Sequence, residues 1–277
     1  MPKSVGHLQI EIQHKNVIPK IIHYCWFGKK PKPPLVEECI ASWQKILPDY
    51  EIRCWEESNV AMAHPFLKKA FKDKQWAFVA DFVRLEKLSE YGGVYLDTDM
   101  LLLKSLNPLM EQAAFIGLES ERYISCGIIG AIPQHSYILS CYYYYNNLIL
   151  DAGFSYKSIT IPKIFTKLYL ENYPEAQKPL LPKQHQDMLV CPVDWFYPFP
   201  NKNLPTEDYK DYTKPDTFAV HLWHKSWKKT NALHLMRQRK VFQSFYALSK
   251  ELIRQENHID KKYVLKIGSA LKQYFNG

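Results

Sequence analysis

Two carboxylates stand inside an apolar, β-forming run. Asp97-Thr98-Asp99 splits the stretch YGGVYLDTDMLLLKSL, Tyr91 to Leu106, and Met100-Leu101-Leu102-Leu103 resumes it. Side chains alternate across a strand, so Asp97 and Asp99 are expected on one face and Thr98 on the other. Two such charges repel in a low-dielectric setting and raise one pKa unless a cation sits between them. A divalent metal resolves the conflict. An oxygen-only pair suits Mg²⁺ or Mn²⁺, which complete their shells with water and the oxygens of a diphosphate. The plainer reading is a polar turn between a strand and a helix, because DxD is a common tripeptide. Placement weighs against it: the pair follows a strand that itself follows a Gly-Gly helix end, at the C-terminal edge of an α/β sheet, where ligands bind.

Two other groups could take part. Asp81 and Arg84 are three residues apart on a helix and share a face. As a surface ion pair they would be worth little, whereas a guanidinium fork beside a carboxylate can grip phosphate and the hydroxyls of ribose or sugar. The segment HLWHKSWKK, His221 to Lys229, follows the last expected strand. His221 can offer an imidazole to a metal, and Lys225, Lys228 or Lys229 can neutralise phosphate. Taken singly, these are loop residues, and Trp223 and Trp227 read as core packing.

The elements that must position these residues form an α/β pattern. Val17 to Phe27 reads as a buried strand before the turn cluster GKKPKPP, and Leu35, Cys39 and Trp43 recur at helical spacing. Tyr50 to Trp55 alternates like a second strand. Trp76 to Tyr91 is expected to be a helix closed by a left-handed cap at Gly92-Gly93, and Val94 to Leu96 a short strand. Asn107-Pro108 starts a helix or turn, Phe115 to Leu118 and Ile128 to Ile132 are further strands, and Tyr137 to Leu150 and Pro162 to Leu170 are helices. Pro174 to Pro215 reads as ordered loops with short strands, and Phe218 to Trp223 as a last strand. Ala232 to Gln273 is helical in pattern and basic.

With 277 residues, 47% of them hydrophobic and 14% aromatic, the chain can bury a large core and is not a disordered one. We expect a single α/β domain over 1–230 and a helical extension, 231–277, packed on it. The net charge of +8 points to anionic partners: phosphates, nucleic acid or a membrane surface. Six scattered cysteines show no metal-site or CxxC spacing and read as reduced thiols. No signal-type stretch or apolar run of about 18 residues occurs, so a cytoplasmic protein is expected.

The segments IPKIIHYCWFG (from Ile18), the helix carrying Asp81 and Arg84, and LSEYGGVYLDTDM (from Leu88) together resemble the DXD-motif glycosyltransferases. That group includes bacterial capsular-polysaccharide sugar transferases and fungal initiating mannosyltransferases, with clostridial glucosylating toxins as distant relatives. HLWHKSW resembles the C-terminal His and Ser-Trp element of the same family. The resemblance runs from Ile18 to Leu106 and again from His221 to Trp227.

It implies a GT-A-like fold with a mixed, mostly parallel sheet, a nucleotide-sugar donor (UDP-sugar favoured), Mn²⁺ or Mg²⁺, and retention of anomeric configuration. The acceptor would be a glycan or lipid-linked saccharide in cell-surface polysaccharide assembly. By position, Ile22, Tyr24 and Trp26 would line the base pocket, and Asp81 and Arg84 would hold ribose, sugar or phosphate. Asp97 and Asp99, with Thr98 between them, would hold the donor through the metal, with His221 as third ligand. Ser226 and Trp227 would close over the diphosphate. Asp97, Asp99 and Arg84 form the expected catalytic set. The chain departs from the family pattern at Ile161-Pro162, where Gly-Pro is common, and at Cys126-Gly127, where Asn-Gly is common, and this leaves the sugar and acceptor pocket unassigned.

Asp187, Asp194 and Glu119 fall in expected loops and read as solvated, so no carboxylate nucleophile is named. Attack on the same face, with the donor phosphate taking the acceptor's proton, is the expected chemistry. A metal-dependent phosphoryl-transfer or nuclease-type enzyme and a non-catalytic carbohydrate-binding protein stay open as alternatives. A nucleic-acid partner is not expected, since no P-loop, second acidic cluster or RNA-binding signature appears. The lysines and arginines from Lys225 to Lys272 could rest on anionic lipid at the inner face of a membrane, or form a solvated helix face.

Overall fold

The computed structural model describes residues 17–151, 153–200 and 208–223. They belong to one compact unit; the second, residues 202–207 and 224–277, lies outside them. The expected boundary at residue 230, the extension 231–277, and Lys225, Ser226, Trp227, Lys228 and Lys229 therefore all fall outside the described residues.

Strands β1 (Ile21–Cys25) and β2 (Glu51–Trp55) pair in parallel across helix α1 (Pro34–Ile46). Proline at the first position of α1 loses no hydrogen bond there, and Val36, Cys39 and Trp43 face inward. Next come α2 (Pro65–Lys72), which the sequence spacing does not single out, and α3 (Trp76–Tyr91). Strand β3 (Gly93–Leu96) pairs with β1, and β4 (Met100–Leu102) follows a turn. A hairpin of β5 (Ala114–Ser120) and β6 (Tyr123–Ala131) precedes α4 (Ser136–Asn146) and α5 (Ile161–Asn172). The chain then forms β7 (Lys183–Gln184), β8 (Leu189–Cys191), α6 (Val193–Phe196) and β9 (Ala219–His221).

The central sheet has the order β2-β1-β3-β6-β5-β8-β7. Parallel pairs join β1 to β2 and β3, and β5 to β8; antiparallel pairs join β6 to β3 and β5, and β7 to β8. This is the α/β, GT-A-like mixed sheet expected. Residues from α2 to α5, such as Phe66, Phe82, Cys141 and Phe165, cover one face. Trp43 of α1, Met100 and Leu102 of β4, Phe196 of α6 and Ala219 of β9 cover the other. No helix among the described residues is long and apolar enough to cross a membrane, and all six cysteines are free thiols.

One expectation changes. Gly92 has φ +64° but ψ −158°, so the helix leaves directly into an extended, glycine-only conformation instead of a left-handed helical cap. A Cβ there would lie 2.6 Å from Pro133 Cδ and 2.8 Å from the Ala131 carbonyl. The short strands expected in the proline-rich region include β8, an inner strand of the sheet.

The join between α3 and β3 is sealed by His23, which is fully buried on β1. Its Nε2–H donates to the Gly92 carbonyl at 2.8 Å, and its Nδ1 accepts the Trp55 indole N–H at 3.1 Å. Both ring nitrogens are thus used in the neutral form, and a second proton on Nδ1 would face a donor. Burial lowers the His23 pKa from 6.5 to about 4. Between those values the unfolded chain binds the proton and the folded chain does not. The stability from the neutral ring is therefore complete above pH 6.5 and lost as the pH falls toward 4. At about 1.4 kcal/mol per pH unit, this amounts to about 3 kcal/mol. Urea unfolding of wild type and His23→Gln at pH 7.5 and 4.5 checks it: the variant is expected to be weaker at pH 7.5 and to lose less than wild type on acidification.

Candidate active site

Beyond Leu96 the chain turns sharply. The Asp97 N–H donates to the Gly127 carbonyl at 2.7 Å, and the Met100 N–H donates back to the Asp97 carbonyl at 2.9 Å. Asp97-Thr98-Asp99 is therefore a turn between two strands, and strand alternation is not what brings its carboxylates together. The small sheet supplies the third group: β4 pairs antiparallel with β9, setting Met100 opposite His221, and the Leu222 N–H donates to the Asp99 carbonyl at 2.9 Å. His221 Nε2 then lies 3.3 Å from Asp99 Oδ1 and 3.9 Å from Asp97 Oδ2. One ligand atom from each of Asp97, Asp99 and His221 lies within 4.8 Å of the others. On its other side β4 is pinned by α1, through the Trp43 indole N–H to the Met100 carbonyl (2.7 Å) and the Leu102 N–H to the Ser42 hydroxyl (3.0 Å).

Beneath the turn lies Arg84. Its Nη2 contacts Asp81 Oδ1 at 2.9 Å and Asp97 Oδ1 at 3.1 Å, its Nη1 donates to the Cys126 carbonyl at 2.6 Å, and the guanidinium stacks 4.3 Å over the Tyr95 ring. Both Asp81 and Arg84 are buried. They are not a surface pair, and in this arrangement they brace Asp97 from below instead of presenting themselves to a ligand. Burial pushes the Asp81 carboxyl up to about 7, against the pull of the guanidinium. Burial also works to raise Asp97, but Arg84 and the His221 ring together hold it below the usual carboxylate value. His221 is lowered by burial and raised by Asp99 and Asp97, with a net rise.

The floor of the site is an irregular stretch of β6. Against β5 the pairing runs Ile116 to Ile129 and then Gly117 to Ser125, so Cys126, Gly127 and Ile128 are skipped by that ladder. Such bulges re-aim strands beside active sites. Each skipped residue binds the site through its backbone: Cys126 accepts from Arg84, Gly127 accepts from Asp97, and the Ile128 N–H donates to the Tyr197 hydroxyl at 3.1 Å. The ring of Tyr197 packs 5.7 Å from that of His221.

Residues 33–116 match the model of the glycosyltransferase sugar-binding region containing a DXD motif. The match spans under a third of the chain and contains Asp81, Arg84, Asp97 and Asp99. A Saccharomyces cerevisiae mannosyl phosphorylinositol ceramide synthase, CSH1, is 28% identical over 45% of this chain and 34% of its own length. A Mus musculus lactosylceramide 4-alpha-galactosyltransferase is 24% identical over 79% of this chain and 56% of its own. The chain thus spans about a third to a little over half of these two relatives. Among solved structures, the PaToxG glycosyltransferase aligns over 57% of this chain and 70% of its own, at 16% identity and a TM-score of 0.45.

Within the DXD region and around it, the expected residues separate into groups. Ile22 is fully buried and does not reach a surface where a base could stack, because β1 is covered on both faces. Tyr24 is buried too, edge-on to Trp43. Trp26 is half-buried at a cavity of about 550 Å³ that Lys29, Lys30 and Lys32 also line, and Thr98 is half-buried. Ser226 and Trp227 lie outside the described residues. Asp187 precedes β8 at the opposite edge of the sheet, accepting from the Tyr173 hydroxyl at 3.0 Å, and Asp194 pairs with exposed Lys214. Glu119 is on β5, not in a loop, and half-buried instead of solvated. Gly127 and Tyr197 have no expected role in the sequence; the only signal was the departure at Cys126-Gly127.

The DXD region's donors fit a divalent ion. Asp97 and Asp99 bring two carboxylates within reach of one another, and Arg84 contacts Asp97 but not Asp99. His221 turns Nε2 toward the carboxylates, while its buried Nδ1 has no hydrogen-bond partner among the described residues. Oxygen ligands with one imidazole suit Mn²⁺ or Mg²⁺.

Three substitutions test this geometry. Arg84→Leu leaves buried carboxylates unpaired and is expected to lower the unfolding free energy by about 3–5 kcal/mol. The double variant Asp81→Leu/Arg84→Leu should lose less than the sum of its single changes in urea unfolding. A Cβ at Gly127 would lie 3.0 Å from His221 Cδ2 and 3.2 Å from Asp97 Oδ2. Gly127→Ala should therefore fold, yet bind Mn²⁺ about tenfold more weakly by calorimetry.

Proposed function

We propose that this chain is a retaining, metal-dependent glycosyltransferase, moving a hexose from a nucleoside-diphosphate donor to a glycan or lipid-linked saccharide in cell-surface polysaccharide assembly. The observation that carries this reading is the Asp97, Asp99 and His221 cluster at the end of β3, beside a DXD region. The names of the yeast and mouse relatives refer to ceramide glycolipids, which favours a lipid-borne acceptor. A UDP-sugar is the favoured donor.

The cavity beside Trp26 opens at the ends of β1 and β2, on the sheet edge where the DXD turn ends β3. The Trp26 indole N–H donates to the Lys30 carbonyl at 2.7 Å, which fixes the ring, and the Lys32 ammonium sits 6.0 Å from it. An aromatic platform with nearby ammonium groups suits a nucleotide base and its phosphates.

A divalent ion held by Asp97, Asp99 and His221 would bind the diphosphate and stabilise the charge that builds on the leaving group. Arg84 keeps Asp97 ionised and aimed, and Gly127 and Ile128 fix the floor against which His221 packs. In the transfer, the acceptor oxygen bonds to the anomeric carbon on the face from which the phosphate leaves. The sugar–phosphate bond breaks, and the acceptor's proton passes to the departing phosphate oxygen.

A screen of UDP- and GDP-sugars with Mn²⁺ by thermal shift, followed by donor hydrolysis, tests the reading. At a hundredfold excess over Kd, a true donor stabilises the fold by about 2.7 kcal/mol. Asp97→Ala and Asp99→Ala should each lose at least about a hundredfold in hydrolysis, consistent with removal of a charge-stabilising group. Absence of any binding, or variants that hydrolyse like wild type, would exclude it.

A further inference from the structure

Strand β5 holds a second irregularity, closer to its end. Leu118 pairs with Ile124 and Ser120 with Tyr123, so Glu119 has no partner across the ladder and is the extra residue of a β-bulge. Glu119 interacts with Ser125, which lies opposite Gly117 across the ladder, so it is on the face of Gly117. At Gly117 that face meets Phe196 and Tyr197, since a Cβ there would lie 2.8 Å from both rings. Tyr197 is the side chain that packs on His221. Glu119 thus shares a face with the DXD cluster, senses the charge of His221, and accepts a hydrogen bond from Ser125. Among the described residues it forms no ion pair with lysine or arginine.

An ionised carboxylate has about four acceptor sites on two oxygens, and Ser125 occupies one. The group is half-buried, and its burial raises the pKa, against the pulls of His221 and Ser125. Lost hydration at such a carboxylate is best replaced by hydroxyl donors. A hexose offers several hydroxyls in a row, whereas a phosphate does not match an anionic acceptor.

We infer that Glu119 contacts the sugar being transferred and accepts hydrogen bonds from its hydroxyls. The inference rests on the glycosyltransferase reading and adds to it the sugar side of the site, opposite the nucleotide cavity at Trp26.

The test compares wild type, Glu119→Gln and Glu119→Asp with Mn²⁺, measuring Kd by calorimetry for UDP and GDP and for their hexose conjugates, together with melting temperature. Glu119→Gln should keep its melting temperature and its affinity for the free diphosphate within about twofold. It should bind the accepted nucleotide sugar about tenfold to a hundredfold more weakly, the weight of a hydrogen bond to a charged group. Glu119→Asp should retain part of that affinity. Wild-type affinity of both variants for the sugar conjugate would overturn the inference while leaving the glycosyltransferase reading intact. So would failure of both to fold, or equal loss for diphosphate and conjugate, because either result makes Glu119 structural. A glycosyl adduct on Glu119 in mass spectra would make it a nucleophile and also overturn the assignment. If wild type binds neither diphosphate nor conjugate, the broader reading falls first and takes this one with it.

Discussion

The site depends on one buried guanidinium. Arg84 joins Asp81 on its own helix to Asp97 on the turn and to the Cys126 carbonyl on the next strand. Removing an arginine from water costs several kcal/mol even after relaxation, and only close partners offset it. Here the partners are the parts of the site that have to be held together. With that charge below it, Asp97 stays ionised beside Asp99 although both are largely shielded from solvent. Without it, one carboxyl would have to bind a proton or turn away, and the close pair of ionised carboxylates would be lost.

The backbone of β6 does as much as its side chains. A regular β5–β6 ladder would occupy the polar groups of Cys126 to Ile128, and the skipped register leaves them to the site. The Gly127 carbonyl sets the direction of Asp97. The lack of a Cβ at Gly127 lets His221, Asp97 and Tyr197 converge on one point. One local departure from ideal pairing therefore serves the Asp97-Thr98-Asp99 turn, a buried arginine and a packed tyrosine.

This explains what could and could not be read from the residues alone. Asp97 and Asp99 are legible because they break an apolar run, Asp81 and Arg84 because helical spacing puts them on one face, and His221 because it ends a strand of clear pattern. Bulges have no such local signature: whether Gly127 or Glu119 is skipped depends on how two strands register against their neighbours. Glu119 was read as solvated for that reason. Ile22 was assigned to the base pocket by the resemblance alone, and it lies fully buried on a strand covered on both faces. The role of Trp43 was half legible. Its helical period announced burial, but not that its indole N–H would hold the strand after the turn.

The two layers of the fold meet at the end of β3, and that meeting makes the site conditional on the whole domain. Arg84 comes from α3, packed on one face of the central sheet, while His221 comes from β9, which belongs to the layer on the other. Neither layer contains a complete site, because Asp97 and Asp99 lie on the turn between them. His221 reaches them only when β9 has paired with β4, and β4 is placed only when Trp43 and Ser42 of α1 have docked on it. Cation binding at the cluster would therefore stabilise long-range pairing between the two ends of the described chain as well as the turn itself.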